Sequence, residues 1–231
     1  MGIAGLGIRQ GLLGLAALFF LTDLYLIFQY VPTASEALGL QVQRIFYFHV
    51  PSALLGMISF AVAAFASVVY LAKRARKWDR IAWASAEVGT LFFTVAIGTG
   101  AIWAKPVWQT WWVWDVNGTL TFMLWLVFIG YLIVRSYAPT VERGSRWAAV
   151  IAIFGAAAVP FVYMAADWWE GLHTERITGP GARGSMEHEM FLTLMFSLVT
   201  FLVLFIALVA ERAAQRGIEE SIEELRREVS A

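Results

Sequence analysis

The sequence predicts an all-α polytopic membrane protein of six transmembrane helices, with both termini inside the cell and a tryptophan-rich loop outside. Three observations carry this. Of 231 residues, 60% are apolar and only 15% charged, against roughly 25% charged in soluble domains, and mean hydropathy is +0.68. Six apolar runs, at 11–30, 48–72, 81–104, 119–137, 147–166 and 189–210, are each long enough as helices to cross a hydrocarbon layer of about 30 Å. Thirteen of the seventeen Lys and Arg fall on one set of alternate connections, while Arg44, Lys105, Arg176 and Arg183 fall on the other. Positive charge collects on the cytoplasmic side of short loops, which places both termini there.

The first run is too long for a signal-peptide core and no small-residue cleavage site follows it, so it reads as helix one. After Pro32, Thr33 and Glu36 have the spacing of a capping box for a short surface helix carrying Leu38, Val42, Ile45 and Phe46. Helix two opens on F-H-V-P, where Pro51 suits the first turn and His49 stands at the outer mouth. Helix three leads into W-A-K-P-V-W-Q-T-W-W-V-W-D, where Pro106 is expected to interrupt it. The remaining spans read as continuous and apolar. Between the fifth and sixth, W-W-E-G-L-H passes into T-G-P-G-A-R-G-S, whose Gly179, Pro180, Gly181 and Gly184 mark turns. The membrane domain, residues 1–210, is followed by a charged cytoplasmic tail, 211–231. In the tail Ile218, Ile222, Leu225 and Val229 recur at spacings of 4, 3 and 4, an amphipathic helical stripe that suits a membrane surface or a cytoplasmic partner.

Composition also excludes. Net charge is zero and no G-x-x-x-x-G-K-[ST] phosphate loop occurs, which argues against a nucleic-acid partner and against ATP hydrolysis by this chain. With no Cys there is no disulfide, no thiolate metal site, no redox pair and no C-x-x-C-H for covalent heme attachment. Asp23 and Glu87 are ionisable groups within the spans. Neither belongs to a series of acids that would relay protons, so snorkelling or a hydrogen bond to a neighbouring helix is expected. A channel or carrier would want polar or broken helices near mid-membrane, which the apolar runs do not suggest.

The binding chemistry lies in the second outer connection. Trp103, Trp108, Trp111, Trp112 and Trp114 exceed the one or two per span that an aromatic belt explains. Each indole left in water forgoes roughly 1.5–3 kcal/mol of burial, so the cluster needs a cover of lipid, protein or a flat ligand. All three histidines, His49, His173 and His188, fall on the same side, with seven of the eleven tryptophans. That set suits a porphyrin, an apolar disc that stacks on indoles while its iron takes an imidazole on each face. Arg44 is the nearest cation for a propionate, and Asp115 either caps helix four or contacts the ligand. The residues alone leave the axial pair open among the three histidines.

Taken together, I-W-A-K-P-V-W-Q-T-W-W-V-W-D, R-I-F-Y-F-H-V-P and D-W-W-E-G-L-H resemble, over nearly the whole chain, the heme exporter protein C family of cytochrome c maturation, whose superfamily is defined by an outward W-W-D segment. The resemblance implies that Trp103, Trp108, Trp111, Trp112, Trp114, Asp115 and Arg44 cradle non-covalent heme b at the outer face of a bacterial cytoplasmic (inner) membrane. It implies that His49 and His173 ligate the iron, one on each side, and gives His188 no counterpart. It further implies delivery rather than catalysis: heme passes to a periplasmic heme chaperone, with an ATP-binding cassette complex and a small single-span protein as partners within the lipid bilayer. The chain departs from the family pattern in carrying Ala104 and Gln109 in place of glycines, and V-N-G-T-L-T after Asp115 where the family has an Arg. Cytochrome c heme lyases share the W-W-D segment but are longer or hold a further His within a span, and a bis-His cytochrome b pairs its histidines inside the bilayer. None of the six runs here has a central His.

Overall fold

A computed structural model describes residues 3–34, 40–169 and 186–230, and among them all regular structure is helical. Helix α1 (Ile3–Tyr25) closes on a π-helical turn, Leu26–Tyr30, and a 3-10 helix, Leu40–Ile45, leads into α2 (Phe46–Lys73). There follow α3 (Arg76–Trp108), α4 (Val116–Tyr137), α5 (Val141–Ala156), α6 (Val159–Trp168) and α7 (His188–Ser230). Six helical stretches are long and apolar enough to cross a membrane, α5 and most of α6 together making the fifth. The sixfold reading of the apolar runs therefore holds.

Two prolines behave differently from expectation. Span five is not continuous: it breaks at Ala157 and Ala158, where the Ala158 N–H donates to Gly155 O at 3.0 Å, a tightened i to i−3 bond. Pro160 is the cause, having no N–H for Ala156 O and a ring that crowds that carbonyl. Pro106, by contrast, lies inside α3, which ends two residues later as Gln109 turns left-handed at φ 61°. So close to the helix end, the missing N–H leaves little hydrogen-bond ladder downstream to disrupt.

The core is aromatic and small-residue in character. Phe60 of α2 stacks on Phe128 of α4 at 3.6 Å and meets Phe93 of α3 edge-on at 5.1 Å. Gly89 permits this approach, since a Cβ there would stand 2.6 Å from Ser59 Cβ. A second cluster of Ile27, Tyr47, Met190 and Leu194 ties the end of α1 to α2 and α7.

At one end of the bundle, ion pairs knit the helices together. Both terminal nitrogens of Arg135 on α4 donate to Asp79 on α3, each side chain 2% exposed, and Ser145 Oγ on α5 donates to the same carboxylate at 2.9 Å. Glu87 on α3 accepts from Arg212 at 2.5 Å and Arg216 at 2.7 Å, both on α7, and the Arg216 guanidinium lies 3.3 Å from the centre of the Trp83 ring. Arg9 of α1 reaches Glu211 at 3.0 Å. Asp23 accepts from Ser197 Oγ of α7 at 2.8 Å. Both carboxylates singled out in the sequence are thus hydrogen-bonded to a neighbouring helix.

Helix α7 has 43 residues, about 65 Å at 1.5 Å each, twice the hydrocarbon thickness. The charged tail therefore continues the last span without a break, with Ile218, Ile222, Leu225 and Val229 exposed along it. Glu36 and Leu38 of the expected capping box and surface helix lie outside the described residues; Val42 and Ile45 fall on the 3-10 helix and Phe46 begins α2.

Candidate functional site

The end opposite the ion pairs is built around His49, in the first turn of α2. Its Nδ1 donates to Ala96 O of α3 at 2.9 Å and lies 3.3 Å from Thr99 Oγ1. A carbonyl only accepts, so Nδ1 carries a hydrogen; in the neutral ring the lone pair is then on Nε2, the tautomer a metal-binding imidazole uses when its other nitrogen is held by the protein. Gly100 makes room for this ring, since a Cβ there would stand 2.9 Å from His49 Cε1. Sequence reasoning passed over Gly100 and Ala96; a pair of glycines, Gly98 and Gly100, late in an apolar span was the available signal.

Around His49 lies a cavity of about 110 Å³, whose walls include Gly100, Trp103, Trp108, Trp111, Trp112 and Thr121. Trp103 and Trp108 stand on the last turns of α3, edge to face at 4.9 Å. Trp112 and Trp114 are 6.0 Å apart in the following loop. Trp111 and Trp114 are 60% and 72% exposed, which is high for indoles. Trp112 Nε1 is buried with no acceptor. An unmade indole bond costs roughly 1–3 kcal/mol, so this donor suits a ligand atom yet to arrive.

The loop is pinned at its far end. Asp115 is the N-cap of α4, its side chain accepting from the Gly118 N–H at 2.8 Å. A Cβ on Gly118 would stand 2.5 Å from Val113 O, so only glycine lets the loop fold back over the start of the helix. The capping role foreseen for Asp115 is thus in place.

The other candidates are placed less closely. Arg44 sits on the 3-10 helix with its guanidinium 5.7 Å from the centre of the Phe28 ring and its Nε buried without an acceptor; it does not line the cavity. His173 lies outside the described residues, though Trp168 and Trp169, five and four residues before it, stand at the end of α6 as an exposed pair 5.8 Å apart. His188 is exposed at the start of α7, away from the cavity lining.

The cavity is far smaller than the roughly 300–1,000 Å³ of sites that enclose drug-sized ligands. A porphyrin fits only by lying across its mouth. There the exposed indoles offer stacking faces, His49 an imidazole nitrogen, and Trp112 a hydrogen-bond donor. The residues present thus suit a planar metal macrocycle held at a surface.

A family model described as "Heme exporter protein C" matches residues 6–228. The heme exporter protein C of Haemophilus influenzae is 34% identical over 130 residues, covering 56% of this chain and 53% of that protein. The Bradyrhizobium diazoefficiens protein of that name is 35% identical over 130 residues, 56% and 49% of the two. That of Escherichia coli K12 is 31% identical over 162 residues, 67% and 65%. The matched stretches span between about half and two thirds of these relatives.

Proposed function

Because the chain belongs to the heme exporter protein C family, we propose that it binds heme b non-covalently at the outer face of a bacterial cytoplasmic membrane and hands it to a periplasmic heme chaperone. The observation that carries this reading is the His49 imidazole, its Nδ1 held by Ala96 O beside four indoles. His49 ligates the iron on one face and His173 on the other, while the tryptophans stack on the ring. Trp112 Nε1 and Arg44 answer polar and anionic groups at the porphyrin edge. Asp115 shapes the loop by capping α4 and contacts the ligand only through the fold it maintains.

A shallow surface site supports delivery rather than catalysis, since a ligand lying across a small mouth leaves without a large opening motion. The charge distribution supports an outward site, with residues 211–231 in the cytoplasm. An ATP-binding cassette complex and a small single-span protein complete the assembly in this proposal.

The test is the visible spectrum of the full chain purified in detergent after expression with ample heme. Low-spin bis-imidazole bands are expected in the parent, lost in His49→Ala and in His173→Ala, partly restored in each by added imidazole, and unchanged in His188→Ala. A parent protein that carries no heme overturns the reading. Bands lost in His188→Ala but kept in His173→Ala would move the second ligand to α7.

A further inference from the structure

A row of aromatic rings descends from the site along α4. The ring of Phe122 meets Trp112 at 6.1 Å and Trp114 at 6.0 Å, both edge to face, and stacks on Trp125 at 5.7 Å and 26°. Trp125 Nε1 crosses to α3 and donates to Thr94 Oγ1 at 2.8 Å. Thr94 belongs to the exposed face of α3, with Leu91, Val95 and Gly98, so the row runs along the lipid side of the α3–α4 seam. One turn nearer the site, nothing lies within 4 Å of where a Gly98 Cβ would be, so the seam is open there.

The position of Trp125 sets it apart from an interfacial belt. It lies nine residues past Val116, where α4 begins, and so about 14 Å below that end at 1.5 Å per residue. In a hydrocarbon layer of about 30 Å that is near mid-membrane, whereas belt tryptophans sit at headgroup level with their N–H toward water. Trp125 instead has its N–H satisfied by Thr94 and its ring partly packed against the Phe60, Phe93 and Phe128 cluster. A half-buried indole at this depth, stacked on a phenyl ring that touches two platform tryptophans, makes a continuous run of ring contacts from mid-bilayer to the cavity mouth.

We infer that Phe122 and Trp125 form a lateral ramp on which a planar apolar macrocycle travels between the outer half of the bilayer and the tryptophan platform. This rests on the heme-binding reading above. Such a disc partitions into hydrocarbon and has two flat faces, so it gains from each ring it meets edge-on or offset. Open space at Gly98 admits its edge between α3 and α4.

The experiment uses the full chain in nanodiscs of palmitoyl-oleoyl phosphatidylglycerol, with hemin supplied by two routes. In one, hemin is first dissolved in vesicles of the same lipid, which then exchange with the discs; in the other, it is presented from water on serum albumin. The rate at which the low-spin spectrum appears is followed for the parent, Phe122→Leu and Trp125→Leu. Membrane-route filling is expected to slow roughly two- to twelvefold in each variant, the factor of one ring contact of about 0.5–1.5 kcal/mol, with filling from albumin unchanged. Equal rates by the membrane route in parent and variants overturn the ramp. Equal slowing by both routes overturns it too, because the two rings then serve platform packing. A parent that takes up hemin by neither route defeats the heme-binding reading and the ramp with it, whereas uptake from albumin alone defeats the ramp and leaves that reading standing.

Discussion

At the ionic end of the bundle Asp79 and Glu87 each accept from more than one partner, while at the aromatic end Trp112 Nε1 and Arg44 Nε are buried without an acceptor and two indoles stand mostly exposed. Arg76 Nη1, Arg80 Nε and Arg216 Nε at the ionic end also lack a hydrogen-bond acceptor, but each of these guanidiniums stands in an ion pair, Arg76 with Glu142, Arg80 with Glu220 at 3.8 Å, and Arg216 with Glu87 and Glu219. The ionic end thus pairs its charges within the chain and ties α1, α3, α4, α5 and α7 together. The aromatic end leaves donors and apolar faces unmatched, as a surface awaiting a ligand does. Substitutions at the first should change stability and spare heme; those at the second should do the reverse.

The largest effect is expected at Arg135. Removing it in Arg135→Ala strands the Asp79 carboxylate, 2% exposed, among α3, α4 and α5. Breaking one side of such a pair costs about 3–5 kcal/mol, whereas removing both sides is far milder. Thermal melting by circular dichroism should therefore fall steeply in Arg135→Ala and recover most of the way in the double variant Asp79→Ala, Arg135→Ala. A melting point unchanged in the single variant would mean that the ionic end does not hold the helices. Heme carried by the folded fraction should keep its low-spin bands in both.

Next comes Gly100→Ala, on the aromatic side. The new methyl meets His49 Cε1 at 2.9 Å, and the ring must tilt away from Ala96 O. Overpacking of this kind costs about 1–3 kcal/mol. Where the ring relaxes away from the methyl in the heme-free protein, the cost falls on ligation and appears as heme affinity reduced by about tenfold, with only a modest drop in melting of the heme-free protein. Affinity equal to the parent's would show that the imidazole needs no support from α3.

These two substitutions also mark what the sequence made legible. Apolar run lengths located all six spans because length and hydropathy are local properties of the chain, and the excess of indoles, equally local, pointed to the segment that walls the His49 cavity. The pairing of Arg135 with Asp79 is tertiary: each reads in sequence as an ordinary charge at a span end, and nothing local joins two residues so far apart. Gly100 and Ala96 act through the backbone shape they permit, which composition does not reveal. Pro160 was a visible sign of the break in span five, hidden by the even hydropathy around it. The tail past Ala210 looked separate because charge begins there, yet helix propensity is high throughout and α7 simply continues.

A smaller effect is expected at Asp115, where the comparison can be sharpened by two replacements. Asp115→Ala removes the acceptor for the Gly118 N–H and should cost about 1 kcal/mol, while Asp115→Asn keeps a capping oxygen and should cost little. If Asp115 serves the site only by shaping the loop, heme affinity follows the same order: reduced in Ala, near the parent's in Asn. Affinity lost equally in both, measured by hemin titration, would instead require the negative charge itself.

The smallest and most discriminating change is Trp112→Phe, which keeps a ring in the cavity wall and deletes one N–H. In the heme-free protein that N–H is buried without an acceptor, so its removal should leave stability equal or slightly raised, because an unsatisfied donor disfavours the fold. With heme present the sign reverses if Trp112 donates to the ligand: the lost bond is worth about 0.5–1.5 kcal/mol, or roughly a two- to twelvefold weaker affinity. A substitution that stabilises the empty protein while weakening the filled one is the signature of a group held ready for a ligand. Trp112→Phe that leaves heme affinity untouched would assign the orphaned donor to the fold, and the contrast between the two ends would then rest on His49 and the exposed indoles alone.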